Sequence, residues 1–192
     1  MKKKLENPGV SQLQKELDRV QYNKRYRGVI RSTIYVLLTV AAVAVLVATL
    51  LLPVLRIYGT SMTPSLKEGD IVVSVKGASF ERGDVVSFYY NNKILVKRVI
   101  ALEGEWVNID EDGNIYVNGT LLDEPYADEK ALGECDIQLP YQVPEGRIFV
   151  VGDHRATSVD SRSTTVGCVF EEQIVGKIVY RVWPFEDFGA VK

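Results

Sequence analysis

Ser61 stands in Gly59-Thr60-Ser61-Met62-Thr63-Pro64, just after an uncharged apolar run, and Lys97 stands in Ile94-Leu95-Val96-Lys97-Arg98-Val99-Ile100, two β-like runs further on. A serine hydroxyl is a weak nucleophile until a base takes its proton. A lysine can be that base only when neutral, so its pKa must fall from ~10.4. Strand alternation puts Leu95, Lys97 and Val99 on one face and Val96, Arg98 and Ile100 on the other. The amine is therefore expected among aliphatic side chains, where burial and a neighbouring cation such as Arg98 disfavour the ammonium. The chemistry within reach of such a pair is attack on a peptide bond. Each half alone is weak, because serine between glycine and proline is ordinary turn composition and a strand-edge lysine can snorkel to water.

A third segment, Gly152-Asp153-His154-Arg155-Ala156-Thr157-Ser158-Val159-Asp160-Ser161-Arg162, follows an apolar strand and is dense in hydrogen-bonding side chains that could orient a base. Asp160 and Arg162 read equally well as a surface ion pair worth less than about 1 kcal/mol. His154 is the only histidine and suggests a Ser/His/Asp arrangement with Ser61 and Asp153 or Asp160, although no spacing brings it to Ser61. Asp153, His154 and Asp160 lack a metal-ligand pattern, and Cys135 and Cys168 form no CxxC, so neither metal nor cofactor is expected. The two cysteines are open to pairing or to remaining as thiols with Cys168 buried.

These residues need elements to hold them. Residues 32–55 carry no charge and are rich in Val, Leu and Ala. At ~1.5 Å per residue these 24 positions exceed a hydrocarbon core of ~30 Å, and the run is longer than the ~7–15 apolar residues of a removable signal peptide. A retained transmembrane helix is expected, with Pro53 near its outer end. Lys2, Lys3, Lys4, Lys15, Arg19, Lys24, Arg25, Arg27 and Arg31 crowd the front, while the formal net charge of -2 decides little. Because this basic cluster abuts the apolar run, it reads as membrane orientation and not as nucleic-acid binding, with residues 1–31 cytoplasmic and residues 56–192 outside. Leu13, Leu17 and Val20 form a short helical stripe, but three apolar residues bury too little to hold a helix alone, and a loosely ordered tail is expected.

After Arg56 the texture changes to short runs rich in Val, Ile, Phe and Tyr at 71–75, 84–89, 94–102, 106–109, 115–117, 148–151 and 174–183, with Asp112-Gly113 and Asn118-Gly119 as hairpin turns. The expected fold is mainly β: a transmembrane helix followed by a catalytic domain of coiled, barrel-like antiparallel sheet. Residues 123–144, with Pro125, Gly133, Pro140 and Pro144, read as a long loop or insertion.

Four motifs in this order, 59–66, Arg82-Gly83-Asp84-Val85-Val86, 96–100 and 152–162, make the chain resemble the bacterial type I signal peptidases. These are membrane-bound serine proteases that remove signal peptides from exported proteins, and the single apolar run resembles their Gram-positive form. The resemblance implies Ser61 as nucleophile and Lys97 as general base, with Ser158 hydrogen-bonded to the lysine and Asp153, Asp160 and Arg162 supporting that segment. It also implies an oxyanion held in part by the Ser61 N–H, and preprotein signal peptides bound as an added strand, with small residues first and third before the cut. Membrane lipids are the other expected partner. Gly59 stands where some relatives carry a serine hydroxyl, and His154 where asparagine is usual. The endoplasmic-reticulum type would have histidine in place of Lys97, repressor-type Ser/Lys proteases are soluble, and a non-catalytic binding module has no need of a buried lysine beside a hydroxyl.

Overall fold

The computed structural model describes residues 9–191. The chain divides after Leu50 into a helical unit and a β unit.

Helix α1 runs without interruption over Val10–Leu51, and none of its residues is buried. Gln, Lys, Glu, Leu and Arg all favour helix, and no proline intervenes before Pro53. The loose tail expected for residues 10–31 is therefore corrected to helix, while Lys2, Lys3 and Lys4 lie outside the described residues. At ~1.5 Å per residue the 42-residue helix is about 63 Å long, and it is long and apolar enough to cross a membrane. It stops at Leu51, four residues short of the expected end, because Pro53 disfavours helical backbone at the residue before it and cannot donate a hydrogen bond.

The β unit consists of β1 (Val54–Arg56), β2 (Ile71–Val75), β3 (Val85–Tyr90), β4 (Lys93–Ala101), β5 (Trp106–Ile109), β6 (Ile115–Val117), β7 (Thr120–Leu121), β8 (Tyr141–Gln142), β9 (Arg147–Val151), β10 (Val169–Phe170), β11 (Ile174–Trp183) and β12 (Gly189–Ala190). One antiparallel sheet has the order β1-β2-β11-β3-β4-β9-β10, with β12 added on β11, and a smaller one has the order β7-β6-β5-β8. Register shifts in β11 and between Val99 and Ala101 of β4 mark bulges, which sharpen the twist. The larger sheet coils, but β1 and β10 remain its two free edges, so the barrel-like expectation is corrected to an open sheet. At the Asn118-Gly119 turn both φ angles are positive, 52° and 78°, as a two-residue hairpin of that hand requires.

Strand alternation distributes the core. β4 and β9 send Ile100, Ala101, Phe149 and Val151 into a cluster shared with the smaller sheet, and Val99, Ile148 and Val150 into a second one. A third cluster, Ile57, Met62, Leu66, Val72, Val85 and Ile178, lies beneath the turn that carries Ser61. The loop over residues 123–144 is more than a surface insertion, since Leu132, Ile137 and Leu139 pack on the first cluster and Glu124 is buried.

Phe149 is fully buried where the two sheets share their core. Phe149→Ala should cost about 3–5 kcal/mol, read as a lower denaturant midpoint at unchanged m. A loss under about 1 kcal/mol would show that this cluster does not join the sheets.

Candidate active site

Ser61 opens a tight turn between β1 and β2. Thr63 N–H and Thr63 Oγ1 both donate to Thr60 O, and Leu66 N–H donates to Met62 O. Met62 and Leu66, 2 % and 0 % exposed, root the turn in the cluster below, which leaves Ser61 half-buried at its surface. Gly59 has φ +80°, a conformation that favours glycine. The turn is also held from its sides: Ser61 O accepts from His154 N–H at 3.1 Å, Ser65 Oγ from Arg98 at 3.1 Å, and Ser65 O from Arg181 at 3.1 Å.

Lys97 is 3 % exposed on β4, directly opposite Val86 of β3. Its Nζ donates to Ser158 Oγ at 2.9 Å. Burial pushes its pKa down to about 8; Asp160 opposes this, Arg162 reinforces it, and Asp153 opposes it more weakly. The cation that lowers it is thus Arg162 and not the expected Arg98, whose charge is matched by Asp153. Ser61 and Lys97 line one small cavity of about 80 Å³ together with Met62, Leu95 and Val96. Among the described residues no hydrogen bond joins Ser61 Oγ to Lys97 Nζ, whose partner is Ser158.

The segment after β9 is the opposite of a surface ion pair. Asp160 and Arg162, 0 % and 1 % exposed, are bonded through Nε–Oδ1 at 2.8 Å and Nη2–Oδ2 at 2.9 Å, and Asp160 also accepts from Gly152 N–H at 3.0 Å. Burial alone would raise the Asp160 pKa, but the hydrogen bonds and charge of Arg162, with those of Gly152 and Ser158, hold it below the ordinary value. Arg162 donates further to the carbonyls of Leu132, Arg155 and Ser158. Asp153 grips Arg98 at 2.8 and 2.6 Å, and Arg98 also donates to Gly83 O and stacks 3.9 Å from the Tyr126 ring centre. A third buried pair, Arg155 with Glu124, was not legible as part of the site: Glu124 and Tyr126 lie in the loop over 123–144, and nothing local marks them as partners of the 152–162 segment.

His154 reaches Ser61 only through its backbone, for its Nδ1 engages Thr157 Oγ1 at 2.8 Å. The Ser/His/Asp arrangement is not assembled, and Asp153 and Asp160 are each committed to an arginine instead of converging on a metal position. Both cysteines are unpaired, with Cys168 buried in the first cluster.

Gly152 is the closest packed point. A Cβ there would lie 2.2 Å from Ser158 Oγ and 2.5 Å from Ser61 O. Gly152→Ala should therefore displace both groups, and since an ångström of misplacement can cost ~10²-fold, hydrolysis should fall by about that factor with the fold retained. Full activity in this variant would show that the contact does not set the site.

Residues 30–183 match the family model described as signal peptidase, peptidase S26. Signal peptidase IB of Staphylococcus aureus (strain COL) is 39 % identical over 152 residues, covering 69 % of this chain and 78 % of that protein. Thylakoidal processing peptidase 1, chloroplastic, of Arabidopsis thaliana is 34 % identical over 163 residues, 76 % of this chain and 46 % of that longer protein. The crystal structure of a signal peptidase I from Enterococcus faecalis V583 has 30 % identity and a TM-score of 0.43, covering 52 % of this chain and 97 % of its own. With the family model spanning most of the chain, the protein belongs to the signal peptidase family, peptidase S26, and is a serine peptidase of the signal peptidase I type.

Proposed function

We propose that the protein is a membrane-anchored endopeptidase that cuts signal peptides from preproteins after small-x-small sequences, with Ser61 as nucleophile and Lys97 as general base. The observation that carries this reading is a lysine buried among aliphatic side chains, hydrogen-bonded to Ser158, and opening on the same cavity as Ser61. Ser61 Oγ attacks the carbonyl carbon before the cut while its proton passes to Lys97 Nζ. The tetrahedral oxyanion takes the Ser61 N–H as one donor, a contribution of roughly 3–4 kcal/mol to the barrier. Lys97 then gives its proton to the departing nitrogen, the C–N bond breaks, and a serine ester remains. Water attacks the ester with Lys97 again as base. Ser158 fixes the amine by accepting from Nζ, which leaves the lysine lone pair for Ser61. Asp153, Asp160 and Arg162 support that segment through their buried ion pairs.

Substrate would add as a strand along residues 54–59 and 92–96, which line an open groove of about 880 Å³ beside the free edge β1. The neighbouring cavity of about 80 Å³ fits small side chains and excludes aromatic ones. Helix α1 is read as the anchor in contact with lipid, with the N-terminal side cytoplasmic, because Lys24, Arg25, Arg27 and Arg31 lie on only one side of the apolar run. Protease added to sealed cells should reach the 123–144 loop; protection of that loop with digestion of the N-terminal segment would reverse the orientation.

The lysine sets the pH dependence. Its ammonium cannot accept a proton, so kcat/KM should be low below pH 8, where Lys97 is charged, and rise through a limb centred at about 8. Lys97→Arg keeps a cation that stays protonated and should be inactive, as should Ser61→Ala, measured on a purified preprotein in detergent or lipid. Native-rate processing by either variant would remove the assigned pair.

A further inference from the structure

A second cavity, of about 220 Å³, lies against the other end of the Ser61 turn and takes no part in the reading above. Thr63, Pro64, His154, Ala156, Asp128 and Glu129 form its wall. It shares no lining residue with the cavity and groove assigned to the substrate, whose contribution from the turn ends at Met62. The wall nevertheless abuts the reacting serine, since His154 N–H is bonded to Ser61 O. Of the charges around it, Asp153 and Arg155 are already taken up by Arg98 and Glu124. Asp128 and Glu129 are exposed and form no ion pair or hydrogen bond among the described residues, so the charge left over at this cavity is negative.

A polypeptide that runs along β1, fills the small cavity and presents its carbonyl to Ser61 must continue beyond the cut. The apolar groove is used by the residues before the cut. The cavity past Thr63 and Pro64 lies at the other end of the Ser61 turn, and the exposed Asp128 and Glu129 stand in its lining.

We propose that this cavity receives the first residues of the released, mature side of the substrate and favours cationic side chains there, through the Asp128 and Glu129 carboxylates with His154 and Ala156 as its near wall. The inference rests on Ser61 being the nucleophile and on the substrate path given above. Its selectivity is electrostatic and exposed, so it should be modest and weaken with salt.

The test uses the full chain in detergent and fluorogenic peptides that share one small-x-small segment and carry Lys, Gln or Glu at each of the first few positions after the cut. At low salt, kcat/KM for the best Lys peptide should exceed that of its Glu counterpart by about fivefold to tenfold, mostly through KM, and this ratio should shrink near ~1 M salt. In Asp128→Asn/Glu129→Gln the ratio should approach one, and in Asp128→Lys/Glu129→Lys it should invert. A native enzyme that cuts all these peptides without a Lys preference, or a preference that survives both double variants, would overturn the inference while leaving the nucleophile assignment standing. Cleavage of none of the peptides, or equal cleavage by Ser61→Ala, would overturn both.

Discussion

Three arginines buried against three carboxylates, Arg98 with Asp153, Arg155 with Glu124 and Arg162 with Asp160, hold the rest of the site in place. Buried ion pairs are not a source of large net stability, because desolvation consumes much of the Coulomb gain; breaking one by removing a partner costs about 3–5 kcal/mol. Their consequence is geometric. Each guanidinium also ties down backbone or hydroxyl oxygens on other elements: Arg98 reaches Gly83 and Ser65, Arg155 reaches Gly152, and Arg162 reaches Leu132 and Ser158. The turn carrying Ser61, the strand carrying Lys97 and the segment carrying Ser158 are thereby fixed to one another with their polar groups satisfied.

The same network sets the electrostatics of the lysine. Burial favours the neutral amine, but a bare Asp160 carboxylate nearby would restore the ammonium. Arg162 bonds that carboxylate through both oxygens and adds an opposing positive charge of its own. The outcome, a lysine near 8 instead of near 10.5, is a balance in which burial is the largest influence, with Asp160 and Asp153 acting against it and Arg162 acting with it.

An open sheet suits this chemistry better than a closed one. A barrel has no free edge, whereas β1 ends the sheet and leaves backbone donors and acceptors available beside the Ser61 turn. The bulges in β4 and β11 provide the coiling that a barrel was expected to provide, without closing it.

Much of this was legible along the chain because it depends on short-range rules. Charge-free length gave the apolar helix, enrichment in Val, Ile, Phe and Tyr between turn residues gave β2, β5, β6, β9 and β11 nearly to the residue, and Asn118-Gly119 gave its hairpin. The four motifs singled out Ser61, Lys97 and the 152–162 segment. What they left undecided lies between residues far apart in sequence. Glu124 is 31 residues from Arg155, and Arg98 is 55 from Asp153, so no local pattern could pair them or show that Asp160 and Arg162 are buried. The two-residue strands β7, β8, β10 and β12 carry no period of their own and exist only because a longer neighbour offers hydrogen bonds. The tail over residues 10–31 differed for a related reason: three apolar residues cannot hold an isolated helix, but a helix already formed through the apolar run extends one hydrogen bond at a time without a second nucleation. Sequence by itself determined which groups could react and what elements would carry them. Tertiary structure alone decided how deeply Lys97 is buried, which charges face it and what holds Ser61 still, because desolvation and Coulomb energy depend on distances that only the folded chain sets.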